Sequence, residues 1–125
     1  MLKTVLLILL IGYATTLVVF THLPVEDVPD TGASDKLLHF GAYAVLGLLA
    51  AANLRVRRMP SVTQGLLLWA SLAVFGAFDE MTQALVERSP ELLDWSADIV
   101  GAAAGILAVS LLPWPAVKPS AATDR

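Results

Sequence analysis

Four segments of this chain each carry an apolar stretch of about 17–22 residues, the length a helix needs to cross a hydrocarbon core of roughly 30 Å. They are Leu2–Thr21, broken only by Lys3, then Lys36–Asn53, Val62–Gln83 and Leu92–Leu112. A chain of 125 residues that is 57% hydrophobic and 15% charged, with a mean hydropathy of +0.72, has more apolar surface than a soluble domain of its size can bury. Lipid can cover it. The predicted fold is all-α: a polytopic four-transmembrane-helix bundle with short loops over residues 1–116, followed by a disordered cytoplasmic polar tail at 117–125. The absence of cysteine excludes disulfides and thiolate metal sites. No basic and aromatic pattern points to nucleic acid.

The first segment resembles a signal peptide in its early Lys3. Its length, and the bulky Phe20-Thr21-His22 where a cleavage site would need small residues, predict a retained helix instead. Pro24 to Ser34, with Pro29 and Gly32, reads as a loop, and Ser34 or Asp35 can cap the second helix. Arg55, Arg57, Arg58 and Pro60 mark the next turn, and Pro113-Trp114-Pro115 ends the fourth helix. Four crossings place Lys3, the three arginines, Lys118 and Arg125 on one side, against Lys36 and Arg88 on the other. Six basic residues against two predict that both termini face the cytoplasm of a bacterial cell. Ten of the eleven acids, all but Asp124, then fall outside. Trp95 and Trp114 are separated by roughly 28 Å of helix, which predicts one indole at each interface. Trp69 falls mid-helix, against a neighbour or lipid.

The polar residues within the helices follow a pattern. Helices two, three and four each carry a pair one turn apart at the outer end: Asp35 and His39, Asp79 and Gln83 with Glu80 beside them, and Asp94 and Asp98. A spacing of four puts both members on one face. Short loops make the helices neighbours, so these seven residues can converge, with Lys36 and Arg88 as counter-charges. In the fourth helix, Asp94, Asp98, Gly101, Gly105 and Ala108 form one stripe. Gly101 and Gly105 allow a neighbouring backbone to come close, so the stripe faces protein. His39, Tyr43 and Gly47 form a similar ladder, as do Leu72, Gly76, Asp79 and Gln83, where Gly76 allows a neighbour to approach below the polar layer.

A plainer explanation competes at each position. Acids near helix ends can reach water, and polar side chains can act only as glue between helices. For Asp35, Asp79 and Asp94 the two readings weigh about equally. Asp98 lies a turn, roughly 6 Å, deeper than Asp94, where an ionisable group is expensive without a partner, so a specific role is favoured. His39 is comparable: one imidazole among carboxylates can be a base or a ligand. His22 reads as an interfacial residue, and the arginine loop as a topology signal that touches anionic lipid. The oxygen-rich set suits Mg²⁺, Mn²⁺ or Ca²⁺ better than a soft metal, although no cation is required. Neither a zincin helix, a phosphate loop nor a serine elbow is present.

The run Asp35-Lys36-Leu37-Leu38-His39-Phe40-Gly41-Ala42-Tyr43, then Asp79-Glu80-Met81-Thr82-Gln83, then Arg88-Ser89 and Asp94-x-x-x-Asp98-x-x-Gly101-x-x-x-Gly105, resembles the VanZ-like family of small bacterial membrane proteins. The resemblance spans residues 35 to 105. Members often carry Asn where this chain has Asp98. The resemblance implies a protein of the bacterial cell envelope, in a family named for a link to teicoplanin resistance, and supplies no reaction. It marks the same seven polar positions that spacing had selected.

The leading functional expectation is a binding or modulating protein whose outer polar layer engages membrane lipid or a lipid-linked cell-wall precursor, altering glycopeptide susceptibility. The alternative is a membrane enzyme acting on a lipid phosphate or pyrophosphate, with a metal or His39 as catalyst. It ranks second because one histidine and unassigned acids make no complete catalytic set. A small multidrug exporter is disfavoured, since helix one has no acid. A purely structural subunit and a homo-oligomer remain compatible with the sequence.

Overall fold

The computed structural model describes residues 1–27, 32–57 and 61–113. The chain forms α1 (Leu2–Thr21), α2 (Asp35–Val56), α3 (Val62–Gln83) and α4 (Leu92–Leu111), with single 3-10 turns at Val25–Asp27 and Ala84–Val86 and no strand among the described residues. All four α-helices are long and apolar enough to cross a membrane, which makes this a multi-pass helical membrane protein. Leu66, Leu67, Val74 and Phe78 of α3 are all exposed in the isolated chain, as residues facing lipid should be. Pro29, Asp30, Arg58, Pro60, Trp114 and the tail at 117–125 lie outside the described residues.

The centre of the bundle is the α2–α4 contact, made largely by backbone. A Cβ added at Gly47 would lie 2.5 Å from the Ala102 carbonyl oxygen. One at Gly101 would strike the Phe40 carbonyl, and one at Gly105 the Ala44 carbonyl. Small residues thus bring two backbones together where lipid gives no hydrophobic drive for association. The buried stripe of α4 runs through Asp94, Asp98, Gly101, Gly105 and Val109. Ala108, expected to continue it, is exposed, because the last step is four residues and not three.

Helix α2 extends a turn beyond the expected Asn53. Arg55 explains this, since its guanidinium donates to the carbonyls of Val109 and, at 2.9 Å, Leu112. A cation there reaches carbonyls at the C-terminus of α4 and suits its dipole. Helix α3 begins with a capping box in which the Gln64 N–H donates to Ser61 Oγ and the Ser61 N–H to Gln64 Oε1.

The outer helices are attached by polar handles. In α1, Leu17 is the buried residue. The Tyr13 hydroxyl donates to the Ala42 carbonyl at 2.9 Å, and the Asn53 amide to the Leu6 carbonyl at 2.7 Å. Helix α1 packs on α2, reaches α3, and does not contact α4. Between α3 and α4 two indoles cross: Trp69 Nε1–H donates to the Ile99 carbonyl at 3.0 Å, and Trp95 Nε1–H to the Ala73 carbonyl at 2.9 Å. Trp95, expected at an interface, is half-buried against α3. Its N–H is used inside the bundle because a backbone carbonyl is within reach.

Candidate functional site

The ends of α2, α3 and α4 that carry the polar pairs meet in one layer. Ser34, not Asp35, caps α2, its hydroxyl accepting from the Leu37 N–H at 3.3 Å. That leaves Asp35 exposed on the rim and puts His39 one turn inside, buried. Asp79, Glu80 and Gln83 are buried at the end of α3, and Asp94 and Asp98 at the start of α4. Asp98 has 0% exposure.

The inner part of the layer is built on His39. Its Nδ1 lies 2.9 Å from Asp98 Oδ1 and 3.7 Å from Glu80 Oε1. Glu80 also accepts from the Glu91 N–H at 3.0 Å through Oε2, and from the Gln83 amide at 3.4 Å through Oε1. At the rim, Lys36 Nζ lies 2.5 Å from Glu91 Oε2 and 2.9 Å from Asp94 Oδ1. The second contact is close enough for charge pairing but is not aligned as a hydrogen bond. Lys36 is thus the counter-charge of Asp94, as its place in the sequence suggested, and Glu91 joins it. Arg88 is used differently: Nη1 donates to the carbonyls of Thr21 at 3.3 Å and Leu23 at 3.5 Å, satisfying the C-terminus of α1.

Helix α1 also enters the layer, which its sequence did not announce. The Thr21 hydroxyl lies 2.9 Å from Asp79 Oδ1. His22 Nδ1 is 2.9 Å from the Val18 carbonyl, an acceptor only, so this nitrogen carries the proton of that bond. Its Nε2 lies 2.9 Å from the Thr82 hydroxyl. His22 is therefore a fixed member of the layer's edge, 3.7 Å from Asp79, and not merely an interfacial residue. The available signal was its position at the same end of the bundle as the three polar pairs.

Four buried polar atoms in this region have no hydrogen-bond partner: Asp94 Oδ1, which has only the Lys36 charge beside it, Asp79 Oδ2, Asp98 Oδ2 and the Tyr43 hydroxyl. The last two converge. A Cβ at Gly76 would be 3.3 Å from each of them, so this glycine leaves room for side chains and not for a neighbouring backbone.

A groove of about 370 Å³ opens between α1 and α2 beside this layer. Tyr13, Leu17, Phe20, Leu38, Ala42 and Tyr43 give it apolar walls, and Thr21, Asp35, His39 and Arg88 form the end at the polar layer. Its volume is that of a small-ligand site, with a few polar groups gathered at one end. Comparisons with protein-family models, curated proteins and solved structures give no match.

Proposed function

We propose that this protein is a VanZ-like protein of the bacterial cytoplasmic membrane, with both termini cytoplasmic, that binds a lipid-linked envelope component and so modulates glycopeptide susceptibility. The observation that carries this reading is the α1–α2 groove, whose apolar walls lead to His39 and Arg88. An isoprenoid or acyl chain would lie along Leu17 and Phe20, and a phosphate headgroup would meet Arg88 at the outer end. The test is binding of a polyprenyl phosphate to the purified protein in neutral detergent, followed by native mass spectrometry. A phosphate-bearing polyprenol should bind more tightly than the free alcohol, and Leu17→Trp, which fills the groove, should abolish binding. Equal binding of both lipids, or full binding to Leu17→Trp, would refute it.

A second reading rests on the His39–Asp98 pair. A buried carboxylate holding one imidazole nitrogen is the arrangement that orients a general base, here beside a groove. It describes a hydrolase of lipid phosphates or pyrophosphates. Comparing the lipids of cells with and without the protein separates the two readings. Accumulation of a phosphorylated polyprenol in its absence favours the enzyme, and altered glycopeptide binding with unchanged lipids favours the binding protein.

A further inference from the structure

The geometry points to a divalent transition-metal site formed by His39, Glu80 and Asp98. One donor atom from each of these buried side chains lies within 4.8 Å of the other two. Two of the separations are 2.9 and 3.7 Å, both measured from His39 Nδ1. A metal with ligand bonds of about 2.0–2.2 Å sets neighbouring donors about 2.8–3.6 Å apart. Both separations from His39 are close to those of a coordination shell, and the Glu80–Asp98 donors, within 4.8 Å of each other, need only draw together to complete it.

Charge balance supports the same assignment. Glu80 and Asp98 bring two carboxylates into a water-poor layer, and no Lys or Arg among the described residues pairs with either. A divalent ion bound by both, with a neutral imidazole as third ligand, leaves the site without net charge. A second, overlapping triad of Asp35, His39 and Asp94 is the weaker candidate. Asp35 is exposed, and Asp94 already has the Lys36 ammonium at 2.9 Å.

Independent support comes from Asp98 Oδ2. This atom is fully buried without a partner, and the Tyr43 hydroxyl, equally unpartnered, borders the same space over Gly76. A fully buried carboxylate oxygen without a partner calls for an explanation, and a bound cation supplies one here. A cation held by both Asp98 oxygens, with a bound water next to Tyr43, would satisfy both groups. One nitrogen and two carboxylate ligands suit Mn²⁺, Fe²⁺ or Zn²⁺ better than Mg²⁺ or Ca²⁺. The site does not depend on lipid binding, so it can be examined without any lipid ligand.

The test is titration of the full-length protein in neutral detergent with Mn²⁺, read by electron paramagnetic resonance. One Mn²⁺ per chain should bind, show coupling to an imidazole ¹⁴N nucleus, and be displaced by Zn²⁺. Asp98→Asn and Glu80→Gln should each weaken binding at least tenfold, and Asp35→Asn should leave it within twofold. His39→Gln should remove the nitrogen coupling. The wild-type spectrum alone is decisive, so a variant that fails to fold does not blunt the test. Absence of stoichiometric Mn²⁺, binding without nitrogen coupling, or loss of binding in Asp35→Asn but not in Asp98→Asn would overturn the assignment.

Discussion

Replacing Gly105 with Ala tests the α2–α4 contact with one methyl group. In place, that methyl would strike the Ala44 carbonyl oxygen and lie 2.6 Å from the Leu48 nitrogen. Both are helix backbone atoms and cannot rotate aside, so the helices must separate. Reaching ordinary contact distance at the Ala44 oxygen requires well over 1 Å. A gap of that size forfeits about half or more of the dispersion energy of each affected atom pair, each about 0.1–0.2 kcal/mol at best. For a few tens of pairs the loss is about 2–3 kcal/mol, at the upper end of the usual cost of overpacking. The same separation would stretch the 2.9 Å His39–Asp98 contact beyond hydrogen-bond range. Gly41→Ala is the control, since nothing lies within 4 Å of a Cβ there. Helix propensity makes that change neutral or stabilising by about 0.5–1 kcal/mol. Reversible unfolding in mixed micelles should rank Gly41→Ala at or above wild type and Gly105→Ala well below it. Gly101→Leu should also lose folded yield in detergent. Equal stability of Gly105→Ala and Gly41→Ala would show that the two helices do not meet as described.

Trp95→Phe removes the donor to the Ala73 carbonyl and should cost about 1 kcal/mol in the same unfolding assay. An unchanged midpoint would show that this bond is not made. Asn53→Leu deletes the bond to the Leu6 carbonyl and should loosen α1, seen as faster hydrogen exchange along α1 than along α4. Uniform exchange in both helices would refute that attachment. Cysteine introduced at Asp27 should react with an impermeant thiol reagent applied outside intact cells, and cysteine at Arg57 should not. The reverse pattern would invert the proposed orientation. In cells, His39→Ala and Asp98→Ala should each abolish any glycopeptide phenotype without loss of accumulated protein. Full activity of both would reduce the polar layer to glue.

The helices were legible because bilayer thickness and helical rise fix their lengths. The first helix matches its apolar run residue for residue, and the fourth ends one residue early, before Pro113. The polar faces were legible because the helical period places Asp94, Asp98, Gly101 and Gly105 together. Periodicity identifies a face but not its partner. Nothing in the run after Phe20 distinguishes a Thr21 that reaches Asp79 from one that reaches a headgroup. The same ambiguity hid Glu91, whose N–H and carboxylate serve Glu80 and Lys36 from a loop. It also gave Arg88 to the acids, whereas it serves the α1 carbonyls. Gly76 looked like a place for backbone approach because a glycine in a helix does not reveal which neighbour uses its space.

The closest helix partners are not consecutive in the chain, and this governs how the protein is made. The last residue of α2 precedes the last residue of α4 by 55 positions, about 3–11 s of synthesis at 5–20 residues per second. During that interval α2 has no α4 to cover Gly47, and His39 has no Asp98. A lone helix with a buried-type histidine and asparagine is costly to release into lipid. The insertion machinery must therefore retain α2, or shelter it behind α1 through the Asn53–Leu6 and Tyr13–Ala42 bonds, until α4 emerges. The first helix, loosely held in the finished bundle, is then the nursemaid of the second during birth.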